Sequence, residues 1–80
     1  MAAAVFDKDY WNKLNEDELF DLLQEECAEV IQAVSKRRRF GMDYFSKSRQ
    51  MYTRNHLQEE IEHVQWVLKK LGYSNEVTPL

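Results

Sequence analysis

The sequence predicts a small all-α protein, built from two long antiparallel helices and a short N-terminal helix that form a helical bundle by oligomerisation. Three observations support that class. The 80 residues include only two glycines and one proline, which leaves little material for the turns of a multi-stranded fold. Apolar residues recur at helical spacing in three segments. No apolar run approaches the ~20 residues that span a bilayer, so we expect no membrane partner.

The first two helices are placed by their apolar spacing and their end signals. A short amphipathic helix is predicted over Phe6–Leu14. Asn15 is a candidate N-cap, and Glu18 three residues later completes a capping box. A long helix is therefore predicted from about Glu16 to Arg39, with its end near Gly41.

The remainder of the chain predicts one more long helix. Residues 41–53 keep no clean period and are predicted as a loop with at most a helical turn. Asn55 followed by Gln58 repeats the N-cap signature, so the second long helix is predicted to run to Leu71, with Gly72 just beyond its end. Residues 1–80 are predicted as a single domain with an ordered core over residues 6–72 and a tail over 73–80.

Chain length and cysteine content favour an oligomer. A core of this size supplies only about 3–5 kcal/mol of net stability, so small domains usually need a staple. Cys27 is the only cysteine, which excludes a disulfide within the chain and fits a reducing compartment. The first residues lack the basic region of a signal peptide. We therefore expect a cytoplasmic homodimer or homotetramer.

Charge is segregated along the chain. Nine of the 14 acidic residues lie in residues 1–34, and seven of the 11 basic residues lie in residues 35–58. A basic segment between two acidic ones predicts anion binding next to cation binding. It does not favour nucleic acid as a partner, because the helices on either side are acidic.

Two carboxylates interrupt the apolar stripes of the long helices. At about 100° per residue, Glu26 lies inside the first stripe and Glu29 on its edge, and Glu60 and His63 hold the same places on the second. An uncompensated buried carboxylate costs several kcal/mol, whereas facing helices that project such residues into a core build metal sites. We therefore predict Glu26, Glu29, Glu60 and His63 as metal ligands. The alternative is that basic side chains pair with the carboxylates.

The same residues resemble a known family. Residues 25–33, 36, 39–41, 55 and 57–64 resemble the MazG-like nucleoside triphosphate pyrophosphohydrolases, whose signature is E-E-x-x-E followed after a spacer by E-x-x-D. The resemblance covers residues 19–71 and implies Mg²⁺ or Mn²⁺ dependence, dimers or tetramers, and hydrolysis of an NTP or dNTP to the monophosphate and pyrophosphate. It implies that Glu26, Glu29 and Glu60 bind metal. Short stand-alone members are frequent in phages and bacteria, which implies the cytoplasm of a bacterium or an infected host.

His63 departs from the family pattern, which has Asp at this position. Imidazole suits Mn²⁺ and other transition metals better than Mg²⁺. Three interpretations stay open: His63 ligates and shifts the metal preference, it lies beside the site while water completes the coordination, or it marks an impaired site. We expect a working site that prefers Mn²⁺.

Further candidates are assigned by the chemistry of hydrolysis. Glu25 and Glu29 are candidate catalytic residues, which would orient or deprotonate the attacking water. The candidate substrate-binding residues are Lys36, Arg39, Lys47, Arg49, Arg54 and Asn55. The candidates for stacking on the base are Phe6, Trp11, Tyr44, Phe45 and Tyr52. Trp66 projects opposite the core and is predicted to lie at a subunit interface.

Three functions from different classes are thus open. The leading one is a metal-dependent nucleotide pyrophosphohydrolase. The second is a relative that binds metal or nucleotide with impaired catalysis. The third is a non-enzymatic helical interaction module, in which Glu26 and Glu60 pair with basic residues of a partner.

Overall fold

The computed structural model describes residues 8–73, which form a pair of long helices, a short helix and a small hairpin. Helices α1, α2 and α3 span Lys8–Trp11, Glu16–Phe40 and Thr53–Lys70, and strands β1 and β2 span Phe45–Ser46 and Met51–Tyr52. The two long helices of the prediction are confirmed. The predicted all-α class is incomplete, because the structure also contains a small antiparallel hairpin. Across the described range, none of the helices combines the length and apolar character needed to cross a membrane.

Helix α2 begins and ends where its capping residues predict. The Asn15 side chain accepts a hydrogen bond from the Glu18 N–H at 2.8 Å, and the Glu18 carboxylate accepts one from the Asn15 N–H at 3.0 Å. These two bonds form the predicted capping box. At the other end the Gly41 N–H donates to the Arg37 carbonyl at 2.8 Å, and the φ of Gly41 is 85°, a conformation that favours glycine. Helix α1 ends at Trp11, three residues before the predicted end at Leu14, and Phe6 lies outside the described residues.

Residues 41–53, predicted as a loop, contain the β-hairpin. Phe45 pairs with Tyr52 across the antiparallel strands, and their rings meet edge to face with centroids 5.2 Å apart. In the turn, Gln50 has a φ of 56°, and its side-chain amide donates to the Lys47 carbonyl at 2.7 Å. Strands of two residues are too short to show the alternation that identifies a strand in sequence, so the loop prediction is wrong here.

Helix α3 begins at Thr53, three residues earlier than predicted, so the prediction of Asn55 as N-cap is wrong. Tyr52 occupies the cap position and makes no side-chain capping bond. The hairpin segment satisfies the start of the helix instead. The Thr53 N–H donates to the Tyr44 carbonyl at 2.8 Å, and the Thr53 hydroxyl donates to the Gly41 carbonyl. The start of α3 therefore depends on tertiary contacts and not on a local signal.

Helix α3 ends at the predicted glycine. The Gly72 N–H donates to the Lys69 carbonyl at 3.1 Å, and the Tyr73 N–H donates to the Leu68 carbonyl at 2.8 Å. This pair of bonds is the Schellman arrangement, and the φ of Gly72 is 93°. Residues 74–80, most of the predicted tail, lie outside the described residues.

The apolar core lies at one end of the α2–α3 interface. Leu19 and Leu22 of α2 pack with Val67 of α3, and Trp11 closes the cluster from α1. Trp11 is 1% exposed, so its predicted role in stacking on a base is wrong. Trp66 packs against Trp11 with ring centroids 5.4 Å apart, so its predicted position opposite the core is also wrong. A projection of α2 and α3 alone predicts that this side of α3 is exposed, but Trp11 of α1 covers it.

Candidate metal centre

The rest of the α2–α3 interface buries ionisable side chains. Glu26 and His56 are 1% exposed, and Glu60 and His63 are also buried. Two overlapping groups, Glu26–Glu60–His63 and Glu29–His56–Glu60, each offer three potential ligand atoms that lie within 4.8 Å of one another. Glu60 belongs to both groups. The structure thus brings together all four predicted metal ligands and adds His56; we call these five residues the α2–α3 cluster.

His63 joins the two helices at the centre of the cluster. Its Nδ1 atom lies 3.3 Å from Glu26 Oε2 and 3.6 Å from Glu60 Oε2. Its Nε2 atom lies 3.8 Å from Glu59 Oε1. Trp11 packs against the imidazole with ring centroids 5.6 Å apart, which limits its freedom to turn. One imidazole nitrogen therefore lies close to two buried carboxylates, and these three residues together form one of the two candidate ligand groups.

Three buried atoms of the cluster have no hydrogen-bond partner among residues 8–73: Glu26 Oε1, His56 Nε2 and Glu60 Oε2. Buried polar atoms in native proteins almost always have one. The His56 Nε2 atom lies 3.6 Å from Glu60 Oε1, which is too long for a hydrogen bond. A divalent cation accepts electron pairs from carboxylate and imidazole alike, so cations held by the two groups would give all three residues a partner. The residues present fit a metal.

Burial sets the ionisation of the cluster. Desolvation raises the pKa of Glu26 to about 8, and the neighbouring Glu60 adds to the effect. Desolvation lowers the pKa of His56 to about 4, helped by the charges of Arg49 and Lys36. At pH 7 His56 is therefore neutral and cannot serve as the counter-ion of Glu60, while its lone pair stays available to a metal. A cation would bind by displacing the proton that Glu26 retains.

Glu29 differs from the two buried carboxylates because it has a basic partner. The Arg49 guanidinium lies 3.1 Å from Glu29 Oε2, and both side chains are half-buried. The hairpin turn positions Arg49, whose N–H donates to the Ser46 hydroxyl at 3.4 Å. The ion-pair alternative therefore holds at Glu29. Within residues 8–73 it does not hold at Glu26 or Glu60, which have no Lys or Arg within 4.0 Å.

The two other predicted residues near the cluster lie on opposite sides of it. Glu25 is exposed and faces a cleft of about 440 Å³ that Tyr10, Glu18 and Asp21 also line. It is not among the cluster residues, and its catalytic role stays a prediction. Lys36 is half-buried, and its charge lowers the pKa of His56. The positive field of Lys36 thus reaches the cluster at the end where Arg49 also lies.

The remaining predicted substrate-binding residues are exposed and outside the cluster. The Arg39 guanidinium lies 5.4 Å from the centroid of the Phe40 ring. Arg54 pairs with Asp43. Lys47 lies in the hairpin turn and Asn55 in the first turn of α3. The role of these four in binding substrate stays a prediction.

Exposed aromatic side chains surround the hairpin. The rings of Phe40 and Tyr44 stack with centroids 4.6 Å apart and planes 23° apart. Phe45 and Tyr52 form the cross-strand pair, and all four side chains are more than 40% exposed. Three of the predicted base-stacking residues are therefore accessible. They belong to the same hairpin segment that carries Arg49 to Glu29.

His56 is the cluster residue that the sequence prediction missed. It lies four residues before Glu60, which places it about 40° away on the same face of α3. The spacing H-x-x-x-E-x-x-H over residues 56–63 was the available signal, because residues three and four apart share a helix face.

Comparisons with protein-family models, with curated proteins and with solved structures found no match to this chain. The resemblance to the MazG-like enzymes therefore stays a prediction. A function has to be argued from the cluster and from the charged and aromatic side chains beside it.

Proposed function

We propose that this protein hydrolyses nucleoside triphosphates, NTP or dNTP, to the monophosphate and pyrophosphate with the help of a divalent cation. The observation that carries the proposal is the set of unpartnered buried atoms on Glu26, His56 and Glu60. Buried carboxylates without compensation destabilise a small domain. Binding of a divalent cation would explain why these carboxylates lie at the centre of the helix pair.

The residues that would hold the cation are Glu26, Glu60 and His63, with Glu29 and His56 on the other side of Glu60. A mixed set of carboxylate and imidazole suits Mn²⁺ better than Mg²⁺, although both remain candidates. A bound cation supplies neutralisation of the phosphate oxygens and lowers the pKa of a coordinated water.

Glu29 is better placed than Glu25 to orient or deprotonate the attacking water. It lies at the edge of the cluster and is only half-buried, whereas Glu25 faces the separate cleft. Glu29 is paired with Arg49 in the absence of substrate. A phosphate group that draws the guanidinium of Arg49 away would free the Glu29 carboxylate for proton transfer.

The substrate would lie between the cluster and the hairpin. Arg49 and Lys36 bring positive charge to the His56 end of the cluster, where the phosphates would be bound. Tyr44, Phe45 and Tyr52 offer exposed rings on the same hairpin segment for stacking on the base. Stacking alone does not choose between bases, because every base has a π-face. This division of contacts supports a nucleotide as the substrate class.

We further propose that the protein works as a homodimer or homotetramer in the cytoplasm and that nucleic acid is not its partner. The support is the size of its core and the alternation of charge along the chain. Five hydrophobic side chains are buried within residues 8–73, four of them in one cluster, which is little for an independent domain.

An activity assay tests the proposed function. The protein is incubated with a panel of NTPs and dNTPs plus Mn²⁺ or Mg²⁺, and pyrophosphate release is measured. We expect release with either metal and more with Mn²⁺. Glu26→Gln should abolish it, because the amide cannot replace the carboxylate as a ligand. Glu62→Gln is the matched control, since Glu62 is an exposed acid on α3 outside the cluster.

Other outcomes of that assay distinguish the alternatives. Nucleotide binding without turnover would identify a catalytically impaired relative, and neither binding nor turnover would leave the interaction module. His63→Asp should narrow the difference between Mn²⁺ and Mg²⁺. If the wild type plainly prefers Mg²⁺ and His63→Asp changes nothing, His63 is not a ligand.

A further inference from the structure

We propose that α2 pairs with α2 of a second copy of this chain, antiparallel, around a two-fold axis at Cys27. The surface involved is a set of side chains along α2 that we call the α2 stripe. Its members are Phe20, Leu23, Cys27, Val30, Ile31 and Val34. The inference deepens the homo-oligomer of the proposed function, but it depends on this surface and not on the metal cluster.

Helix α3 covers only one side of the apolar face of α2. Leu22 and Ala33 are buried, whereas Ile31 is 70% exposed and Phe20 and Val34 are each 39% exposed. Cys27 is exposed as well, and Leu23 and Val30 are half-buried. The stripe runs along about four turns of helix, or ~21 Å. Single exposed apolar residues are ordinary, but a continuous stripe of this length indicates an interaction surface.

Five of the six members of the α2 stripe are placed symmetrically about Cys27, and only Val30 has a polar residue, Gln24, at the matching position. Phe20 and Val34 each lie seven residues from it, and Leu23 and Ile31 each lie four residues from it. In an antiparallel pair with the axis at Cys27, Phe20 would face Val34 of the partner subunit, and Leu23 would face Ile31 of the partner subunit. Seven residues make two turns, so these positions stay on one seam. The pattern fits a second copy of the same helix.

The charges at the ends of α2 select the antiparallel direction. The first turn carries Glu16, Asp17 and Glu18, and the last turn carries Arg37, Arg38 and Arg39. Glu16 and Arg38 each lie eleven residues from Cys27, within about 20° of its direction on the helix. Among the described residues neither forms an ion pair. An antiparallel pair places Glu16 beside Arg38 of the partner subunit twice, whereas a parallel pair places like charges together.

The rest of the helix pair is compatible with this contact. Cys27 lies about 100° from Glu26 on α2, and Ile61 lies about 100° from Glu60 on α3 in the same sense. Because the two helices are antiparallel, both residues lie on one face of the pair, and Ile61 is 36% exposed. Trp11 covers part of the opposite face. The open face is therefore the one that carries the stripe.

Oxidation of the native thiol tests where the axis lies. Diamide converts two thiols to one disulfide and is itself reduced to the hydrazine. Helices packed 8–10 Å apart bring Cα atoms at the axis within disulfide range, so Cys27 should give a disulfide-linked dimer on a non-reducing gel. The matched control is Cys27→Ser combined with Ala28→Cys, because Ala28 is exposed but points about 100° away from Cys27. Equal cross-linking at both positions would overturn the proposed axis.

A charge swap tests the direction and the partner. In sedimentation at graded protein concentration, Glu16→Arg and Arg38→Glu should each raise the dimer Kd about tenfold, because each change reverses two contacts per dimer. Combining them should restore the wild-type Kd. A monomer at every concentration, or a dimer indifferent to the single changes, would overturn the inference. Sedimentation uses neither metal nor nucleotide, so its result is independent of the activity assay. A monomer that hydrolyses nucleotides would contradict the dimer and leave the proposed hydrolysis standing, whereas a dimer that does not hydrolyse them would contradict only the proposed hydrolysis.

Discussion

The two ends of the α2–α3 interface are equally buried but have opposite chemistry. At one end Leu22 and Val67 pack beneath Trp11, and at the other Glu26 and Glu60 lie together. Apolar burial stabilises the folded state by roughly 25 cal/mol per Å², whereas buried carboxylates destabilise it until they are compensated. The comparison indicates that the apolar end stabilises the fold, and it supports the proposal that the polar end binds a cation.

The largest expected effect lies at the apolar end. Leu22→Ala should lower the free energy of unfolding by about 2–5 kcal/mol, because it removes buried methyl groups and leaves a cavity. That is comparable to the whole stability of about 3–5 kcal/mol expected for such a core, so the variant should be largely unfolded. Urea titration followed by circular dichroism measures it. Gln24→Ala, an exposed change on the same helix, should alter the free energy of unfolding by less than about 0.5 kcal/mol. Equal losses of stability in the two variants would contradict the claim that the apolar end stabilises the fold.

The second effect is a pH dependence that the polar end alone should produce. The pKa of Glu26 is about 8 in the folded protein against an ordinary 4.5, so its contribution to stability is complete below pH 4.5 and is lost as pH rises through 8. The pKa of His56 is about 4 against 6.5, so its contribution rises from pH 4 to 6.5. The two largely offset each other up to pH 6.5, and Glu26 acts alone above it.

Metal-free protein in EDTA should therefore lose about 2 kcal/mol of unfolding free energy between pH 6.5 and pH 8. Urea titrations at several pH values measure the slope. Glu26→Gln carries a permanently neutral side chain and should remove most of it. The same slope in wild type and variant would show that Glu26 does not retain a proton in the folded state.

The smallest effect lies outside both ends. Asn15→Ala removes the capping bond to the Glu18 N–H and should cost about 1 kcal/mol. Because Asn15 is remote from the cluster, the pH slope above 6.5 should be unchanged. Thermal unfolding at two pH values measures both. A changed slope would mean that the start of α2 and the α2–α3 cluster do not act independently.

Local signals predicted the parts of the fold that depend on nearby residues. The capping box at Asn15 located the start of α2, and Gly72 located the end of α3. The helical period placed Glu26, Glu60 and His63 on facing sides before any tertiary contact was known, because each helix determines its own face.

Features that depend on tertiary contacts could not be predicted in this way. The start of α3 is capped by carbonyls of the hairpin segment, which no local pattern encodes. The Glu29–Arg49 ion pair joins residues 20 positions apart, and Trp66 lies beside the core because it packs against Trp11. His56 is different, because its spacing of four residues from Glu60 places both on one face of α3 and could have been recognised in the sequence.

Metal binding at the polar end is the most direct test of the central claim. The measurement is the melting temperature of wild type and Glu26→Gln at pH 7.5 as Mn²⁺ is added. A cation that binds only the folded protein should stabilise the wild type by about 2.7 kcal/mol at a hundred times its Kd, with a matching rise in melting temperature. Glu26→Gln should show little rise. No rise in the wild type, or the same rise in both, would contradict a metal site between α2 and α3.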